Sequence, residues 1–119
     1  MTDPTSLTFT AQVTRQIEAA HHNGPIESKC HGNHGHSWTI TIRFGYTPAD
    51  LDQYGWGIDF LRVKKLIDRY DHKDLNTILA VPSAENLAIQ LWSDFEQDCG
   101  RSPLSVTVEE GKGNIVTLE

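Results

Sequence analysis

Histidines are clustered in one short part of the chain, and imidazole is the side chain that most often binds a transition metal. Five of the six histidines lie within sixteen residues, at His21, His22, His31, His34 and His36, and the sixth is His72. On a strand, the side chains of His34 and His36 would leave the same face about 7 Å apart, twice the rise of ~3.4 Å. Two imidazoles at that spacing can share one metal ion, although a His-x-His pair is also common on protein surfaces.

His21 is the candidate for a third metal ligand. It ends the apolar alternation that precedes the His-x-His pair, and antiparallel pairing of two consecutive strands would bring it back beside His34. Three neutral imidazoles with one open position are typical of a catalytic zinc site rather than a closed structural one. We expect the flanking His22 and His31 to lie on the surface or at the rim of a pocket.

Cys30 could supply a base beside this metal site. It lies four residues before His34 in a polar stretch and directly follows Lys29. An accessible thiol next to a cation and a metal ionises more readily than an isolated one, and the thiolate can then accept a proton. The alternative is that Cys30 is buried as a small apolar side chain, which is the commonest fate of a free cysteine. Cys99 lacks such neighbours and is expected to pack at the end of a helix.

The elements that must position these residues follow from the hydrophobic periodicity. Apolar and polar residues alternate over 7–13, running on towards residue 21, and again over 34–44, which predicts two strands. Apolar residues at helical spacing over 60–70 and 84–99 predict two helices, the second with Ser83 as its N-cap. Two short strands, 104–109 and 114–118, follow around a glycine-rich turn.

The predicted order of elements is therefore ββααββ. It is typical of a single α+β domain over residues 1–119, in which two helices cover one face of a four-stranded antiparallel sheet. The connector between the helices, residues 71–82, is expected to be a loop.

Length, charge and cysteine content narrow the possible functions. A chain of 119 residues with 38% apolar residues is one ordinary globular domain. Its 10 basic and 16 acidic side chains give a net charge of −6, which argues against nucleic acid and anionic membranes as partners. No transmembrane stretch or secretory signal is evident, and two cysteines cannot form a disulfide framework, so we expect a cytoplasmic location.

Six short motifs occur in the order found in one enzyme family. They are Glu18-Ala19-Ala20-His21, Cys30-x-x-x-His34-Gly35-His36, Gly55-Trp56-Gly57-Ile58-Asp59-Phe60, Asp71-His72-Lys73-Asp74-Leu75-Asn76, Ser83-Ala84-Glu85-Asn86 and Val106-Thr107-Val108-Glu109-Glu110. From about Phe9 to Leu118, the chain thereby resembles the 6-pyruvoyl-tetrahydropterin synthase family, and most of all its bacterial branch, the 6-carboxy-tetrahydropterin synthases. The short gap between Cys30 and His34 favours that branch, because the animal-type enzyme usually has a longer one.

The resemblance implies a fold, an assembly and a reaction. The fold is the tunnelling fold (T-fold), in which subunits join their sheets into an oligomeric barrel, typically a homohexamer of two trimers. The reaction is that of a lyase acting on a pterin triphosphate, 7,8-dihydroneopterin triphosphate, in queuosine biosynthesis. The resemblance further implies that His21, His34 and His36 hold Zn²⁺, which chelates the side-chain hydroxyls of the substrate, and that Cys30 is the general base.

The resemblance also implies roles for two acidic residues and a histidine. His72 would exchange protons, with Asp71 orienting it within the chain or across a subunit boundary, although an Asp-His pair is by default a solvated loop pair. Glu110 would hold the pterin ring by accepting two hydrogen bonds, whereas without the resemblance it would be an exposed charge at a strand end. Asp59 and Glu85 also match the pattern, and we expect them to act as caps or turn formers.

Two positions depart from the family pattern and could alter the shape of the pocket. His22 stands where the family often has an arginine, and Gly111 stands where it often has a threonine. The triphosphate requires cations. The sequence offers Lys29, Arg15, Arg43 and Lys112 without indicating which of them reach it.

Three functions are compatible with these residues. The first is the 6-carboxy synthase, and the second is the same fold yielding 6-pyruvoyl-tetrahydropterin or cleaving the dihydroneopterin side chain. The third is a pterin or zinc binder without catalysis, in which replacing Cys30 would leave ligand affinity intact. A zinc-stapled structural module would unfold without metal, whereas an open three-histidine site predicts a folded apo form.

Overall fold

The computed structural model describes residues 1–25, 28 and 32–119. Within these residues, five strands and two α-helices follow one another, with short 3₁₀ turns between some of them. The elements are β1 (Phe9–His21), β2 (His34–Tyr46), α1 (Phe60–Asp68), β3 (Lys73–Asp74), α2 (Ala84–Cys99), β4 (Ser105–Glu110) and β5 (Asn114–Leu118). Within the described residues, neither helix has the length and apolar character needed to span a bilayer.

The sheet has the strand order β3-β1-β2-β4-β5. The long strands β1 and β2 pair antiparallel along their whole length, from Phe9 opposite Tyr46 to His21 opposite His34. Strands β4 and β5 continue the sheet antiparallel on the other side of β2. The fold class and the helix-covered sheet predicted from the sequence are confirmed, but the sheet has five strands rather than four.

The additional strand is β3, which lies in the connector that was expected to be a loop. Lys73 and Asp74 pair parallel to Ala19 and Ala20 of β1. Two residues carry no periodicity, so the sequence alone could not reveal this strand. Its effect is to fasten the connector to the strand end that carries His21.

Alternation along the strands produces one buried and one uncovered face of the sheet. The residues of β2 that face the helices, Trp38, Ile40, Ile42 and Phe44, are fully buried. The other face is polar, and on it the hydroxyl groups of Thr14 and Thr41 form a hydrogen bond of 2.9 Å between β1 and β2. The hydrophobic effect therefore fixes the register, because a one-residue slip would move the whole apolar set to the wrong face.

The two helices are set by their caps and their apolar stripes. Asp59 accepts the Leu61 N–H at the start of α1, and Ser83 accepts the Asn86 N–H at the start of α2. Gly100 ends α2 in the left-handed conformation, with φ of 71°. α1 ends at Asp68, two residues before the predicted stripe ends, and Tyr70 is buried just beyond it.

Candidate metal centre and its surroundings

Strand pairing brings the three predicted metal ligands to one end of the sheet. His21 is the last residue of β1, and its partner in the register is His34, the first residue of β2. His36 is two residues further along β2, on the same face as His34. The ring centroids lie 4.5–5.1 Å apart in all three pairs.

Backbone carbonyls orient two of these rings. His21 Nδ1 lies 2.7 Å from the Pro82 carbonyl, and His34 Nδ1 lies 2.7 Å from the Gly32 carbonyl. A carbonyl oxygen only accepts hydrogen bonds, so Nδ1 carries the proton in each ring. In the neutral rings, each Nε2 then holds a free lone pair, which is the form that binds a metal.

Glu110, at the end of β4, reaches into the same cluster. Its Oε1 lies 3.2 Å from His21 Nε2 and 3.0 Å from His36 Nε2. One ligand atom from each of these four residues lies within 4.8 Å of all the others. The family resemblance assigns Glu110 to the substrate, and its contact with the histidines cannot be predicted from the sequence because that contact depends on how β4 aligns with β2.

His36 Nε2 is the atom that most clearly indicates a cation at this place. It is buried and has no hydrogen-bond partner among the described residues, and its contact with Glu110 is close without being aligned as a hydrogen bond. Buried polar atoms are rarely left without a partner. Burial also lowers the pKa of His36, an effect opposed by Glu110, so the neutral form required for metal binding is favoured. Three imidazole nitrogens and a carboxylate oxygen are suitable ligands for zinc.

Asp71 and His72 form a second pair, separate from the histidine cluster. His72 Nδ1 lies 3.0 Å from Asp71 Oδ2 in the same chain. The Glu18 N–H donates to Asp71 Oδ1 at 2.9 Å and is the largest cause of the lowered pKa of Asp71. The His72 ring is 79% exposed, so it is presented at the edge of the sheet rather than to the metal centre.

A surface groove of about 550 Å³ runs between these two groups. Its lining includes His36 on one side and His72 and Lys73 on the other. Lys73 is an exposed cation that the sequence analysis did not single out. The strand β3 places it there, and the sequence gives no signal for that strand.

The cations predicted for the triphosphate are differently placed. Arg15 forms a two-point ion pair with Asp68 at 2.9 Å, and Arg43 pairs with Gln12 in the register, about 24 Å along β2 from His36. Lys112 lies in the turn directly after Glu110 and is exposed. Of the candidates in the described part of the chain, only Lys112 is therefore next to the histidine cluster in the sheet.

Other predicted residues fall outside the described part of the chain or have structural roles. Cys30, His31 and Lys29 are not among the described residues. His22 is exposed, and its backbone N–H donates to the Asn76 side chain at 2.8 Å. Asp59 is a helix cap, as expected.

An α+β chain with three imidazoles and a carboxylate converging at one end of its sheet has the architecture of a metal-dependent enzyme. The comparison with known families defines it further. The family model for 6-pyruvoyl tetrahydropterin synthase matches residues 10–119. The chain belongs to this family, and it is an enzyme of the tetrahydropterin synthase type, a lyase.

Relatives and solved structures are consistent with this assignment. A protein of Archaeoglobus fulgidus provisionally named 6-carboxy-5,6,7,8-tetrahydropterin synthase is 24% identical over 83 residues, covering 66% of this chain and 70% of that protein. The dihydroneopterin monophosphate aldolase of Pyrococcus furiosus is 33% identical over 63 residues, half of each chain. The 6-pyruvoyl tetrahydropterin synthase of Caenorhabditis elegans has a TM-score of 0.75 at 22% identity and shares the fold over 95% of this chain and 96% of its own.

Proposed function

We propose that this enzyme is a zinc-dependent 6-carboxy-5,6,7,8-tetrahydropterin synthase. It converts 7,8-dihydroneopterin triphosphate and releases triphosphate and acetaldehyde, a step towards deazapurines such as queuosine, in the cytoplasm. The observation that carries the proposal is the convergence of His21, His34 and His36 in a chain of this family. The relative from Archaeoglobus fulgidus supports the choice of product.

The three histidines would hold the zinc ion. Carbonyl oxygens on either side of the site support this role, because they fix the rings of His21 and His34 with Nε2 turned inward. When bound, zinc supplies Lewis acidity that polarises the hydroxyls of the substrate side chain and acidifies the adjacent C–H.

Cys30 would remove that carbon-bound proton as a thiolate. In the sequence it lies between β1 and β2 and two residues before Gly32, whose carbonyl accepts the hydrogen bond from His34 Nδ1. This nearness in sequence to a residue in contact with His34 supports the role. A short path from the base to the substrate is what proton transfer requires.

His72 and Asp71 would handle the second proton. Asp71 Oδ2 lies 3.0 Å from His72 Nδ1, and a proton held between these two atoms would leave Nε2 free to exchange a proton with the substrate. The exposure of this ring at the sheet edge suits a site that a second subunit completes. Glu110, partly exposed beside the histidines, would accept two hydrogen bonds from the pterin ring.

The proposed assembly is a hexamer of two trimers whose sheets join into barrels. Strand β5 has one free edge, and within the described residues β1 is paired with β3 only at Ala19 and Ala20. Free edges of this length favour pairing with another chain. Such pairing would also bring His72 of one subunit towards a neighbouring metal centre.

Product identification tests the proposal. Purified protein is loaded with zinc and incubated with 7,8-dihydroneopterin triphosphate, and the products are identified by mass spectrometry with metal analysis on the same sample. We expect acetaldehyde and 6-carboxy-tetrahydropterin. A zinc-loaded protein that forms neither product contradicts the proposal.

A second candidate is cleavage of the dihydroneopterin side chain without the carboxylated product. The 33% identity to the Pyrococcus furiosus dihydroneopterin monophosphate aldolase, over half of each chain, favours this alternative. A 6-pyruvoyl product would instead identify the enzyme as a 6-pyruvoyl-tetrahydropterin synthase. If Cys30→Ala instead kept both ligand affinity and cellular role, the protein would be a non-catalytic pterin or zinc binder.

A further inference from the structure

Glu110 is placed in a way that ring binding alone does not explain. A carboxylate that only held a pterin ring would face the pocket, whereas Glu110 Oε1 contacts the inner nitrogens of both His21 and His36. Its side chain is 24% exposed, so it borders on the cluster and on solvent at once. The strand register requires this position, because Glu110 is opposite Trp38 and on the same face as His36.

The distances match those between ligands of one tetrahedral ion. For metal–ligand bonds of about 2.0–2.1 Å, two ligand atoms of a tetrahedral zinc ion lie about 3.3 Å apart. The separations from Glu110 Oε1 are 3.2 Å to His21 Nε2 and 3.0 Å to His36 Nε2. Glu110, His21 and His36 could therefore hold one such ion with little movement of these atoms.

The protonation of the ring nitrogens that face Glu110 also favours a cation at this position. With Nδ1–H donated to the Pro82 carbonyl, His21 can donate its 3.2 Å hydrogen bond to Glu110 Oε1 only if Nε2 carries a second proton, and a metal cation can take the place of that proton. His36 Nε2 has no hydrogen-bond partner among the described residues. A cation between these atoms would bind both ring nitrogens and the carboxylate oxygen, and it would give His36 Nε2 the partner that it lacks.

We propose that Glu110 is the fourth ligand of the metal while no pterin is bound, and that it leaves the metal when it takes up the pterin ring. This inference rests on the proposed function, which assigns the ring to Glu110. The metal and the pterin ring then compete for the same carboxylate. Binding free energies are reciprocal. A pterin bound to Glu110 therefore lowers the affinity for the metal by the same factor by which the bound metal lowers the affinity for that pterin.

The first test measures zinc affinity in the absence of pterin. Competition with a chromophoric chelator is applied to the wild type, to Glu110→Gln and to Glu109→Gln. Glu109 is a matched control, because it is the adjacent carboxylate and bonds to the Gly113 N–H instead of the cluster. We expect Glu110→Gln to weaken zinc binding by at least about tenfold, as loss of a supporting group already does in metal sites, and Glu109→Gln to have no effect.

The second test uses the wild type and a pterin without side-chain hydroxyls, 6-methyl-7,8-dihydropterin. It should weaken zinc binding in the wild type, and the visible spectrum of the cobalt-substituted protein should change as the carboxylate leaves. If Glu110→Gln folds, as judged by circular dichroism, this linkage should be absent in it. If that variant does not fold, the inference is judged on the wild type alone, in which the pterin must weaken zinc binding.

The outcomes separate this inference from the proposed function. Equal zinc affinity of the wild type and a folded Glu110→Gln overturns the inference but leaves a three-histidine site intact. An unchanged zinc affinity on addition of the pterin, despite bound pterin, overturns it as well. A wild type that binds no zinc contradicts the proposed function itself.

Discussion

Among the described residues, His72 is the one non-glycine residue with a positive φ, 57°. Such a conformation costs on the order of 1–3 kcal/mol and persists only where neighbours hold it. Here the His72 N–H donates to the Glu18 carbonyl at 2.6 Å, and the Glu18 N–H donates to Asp71 at 2.9 Å. The strained backbone turns two adjacent side chains towards each other, with His72 Nδ1 3.0 Å from Asp71 Oδ2.

Asp71→Asn tests this arrangement. It removes the anion that fixes the His72 ring, so under the proposed function kcat should fall by roughly 10- to 100-fold, part of the 10²–10⁴ that a positioned acid–base group supplies. KM should change little. Asp68→Asn, which breaks only the surface pair with Arg15, should leave kcat unchanged.

Comparison of the wild type with Asp71→Asn should also show a pH-dependent difference in the free energy of unfolding. Hydrogen bonding holds the pKa of Asp71 below its ordinary value of 3.8, so the folded state binds this proton less readily than the unfolded state. The stability that Asp71 contributes relative to asparagine is therefore present above pH 3.8 and is lost as the pH falls through the lower folded-state pKa. Urea unfolding of both proteins between pH 3 and 7 would show this; a difference that grows towards low pH would contradict it.

At the residue scale, the sequence predicted what local spacing determines. The face shared by His34 and His36 follows from strand geometry, and the position of His21 follows from pairing two consecutive strands. The approach of Glu110 depends on a pairing between strands separated by both helices. The Pro82 carbonyl, a backbone atom, leaves no signal in side-chain patterns.

At the scale of elements, the β1–β2 pair carries the histidine cluster at one end and an aromatic cluster at the other. The ring of Tyr46, the last residue of β2, is tilted against that of Phe9 with centroids 5.2 Å apart, and it packs against Gly57. A methyl group at Gly57 would overlap the Tyr46 ring, so this glycine is required by close approach.

Gly57→Ala should therefore destabilise the fold by about 1–3 kcal/mol, the usual cost of overpacking. Zinc affinity should not change, because β2 separates Tyr46 from His34 by about 40 Å. Gly45→Ala is the control, since its new methyl would have only ordinary contacts of 3.5 Å or more. Urea denaturation of both variants measures the difference, and equal stability would contradict the packing argument.

Element prediction from the sequence succeeded where an amphipathic pattern is long. Both helices and four strands follow from apolar periodicity, and the caps Asp59 and Ser83 mark their helix starts. The start of β1 shifts from Leu7 to Phe9 because residues 4–6 form a 3₁₀ turn. β3 was missed because two residues paired by their backbone have no pattern to detect.

At the scale of the whole molecule, the apolar core and the histidine cluster occupy different places. The core between sheet and helices is apolar and continuous, and the histidine cluster lies at one end of it. The protein measures 62 × 23 × 21 Å because the two long strands extend beyond the helices.

Metal removal should consequently leave a folded protein. We expect the far-ultraviolet circular dichroism to be unchanged after chelation, and the melting temperature to rise when zinc is restored. At a zinc concentration of about 100 times Kd, the added stability is about 2.7 kcal/mol. His36→Ala should abolish most of this rise, whereas unfolding of the wild type by chelation alone would indicate a structural zinc site.

The hydrogen bond from His21 Nδ1 to the Pro82 carbonyl has a consequence for spectroscopy. The ring is only 3% exposed and the bond is 2.7 Å long, so its proton is shielded from water. Exchange with solvent should be slow, and the proton should give a sharp downfield signal in the one-dimensional ¹H NMR spectrum. The Nδ1 proton of His34, which is bonded in an exposed setting, should exchange faster and broaden. One resonance would thus report on the state of this site without a substrate or an assay.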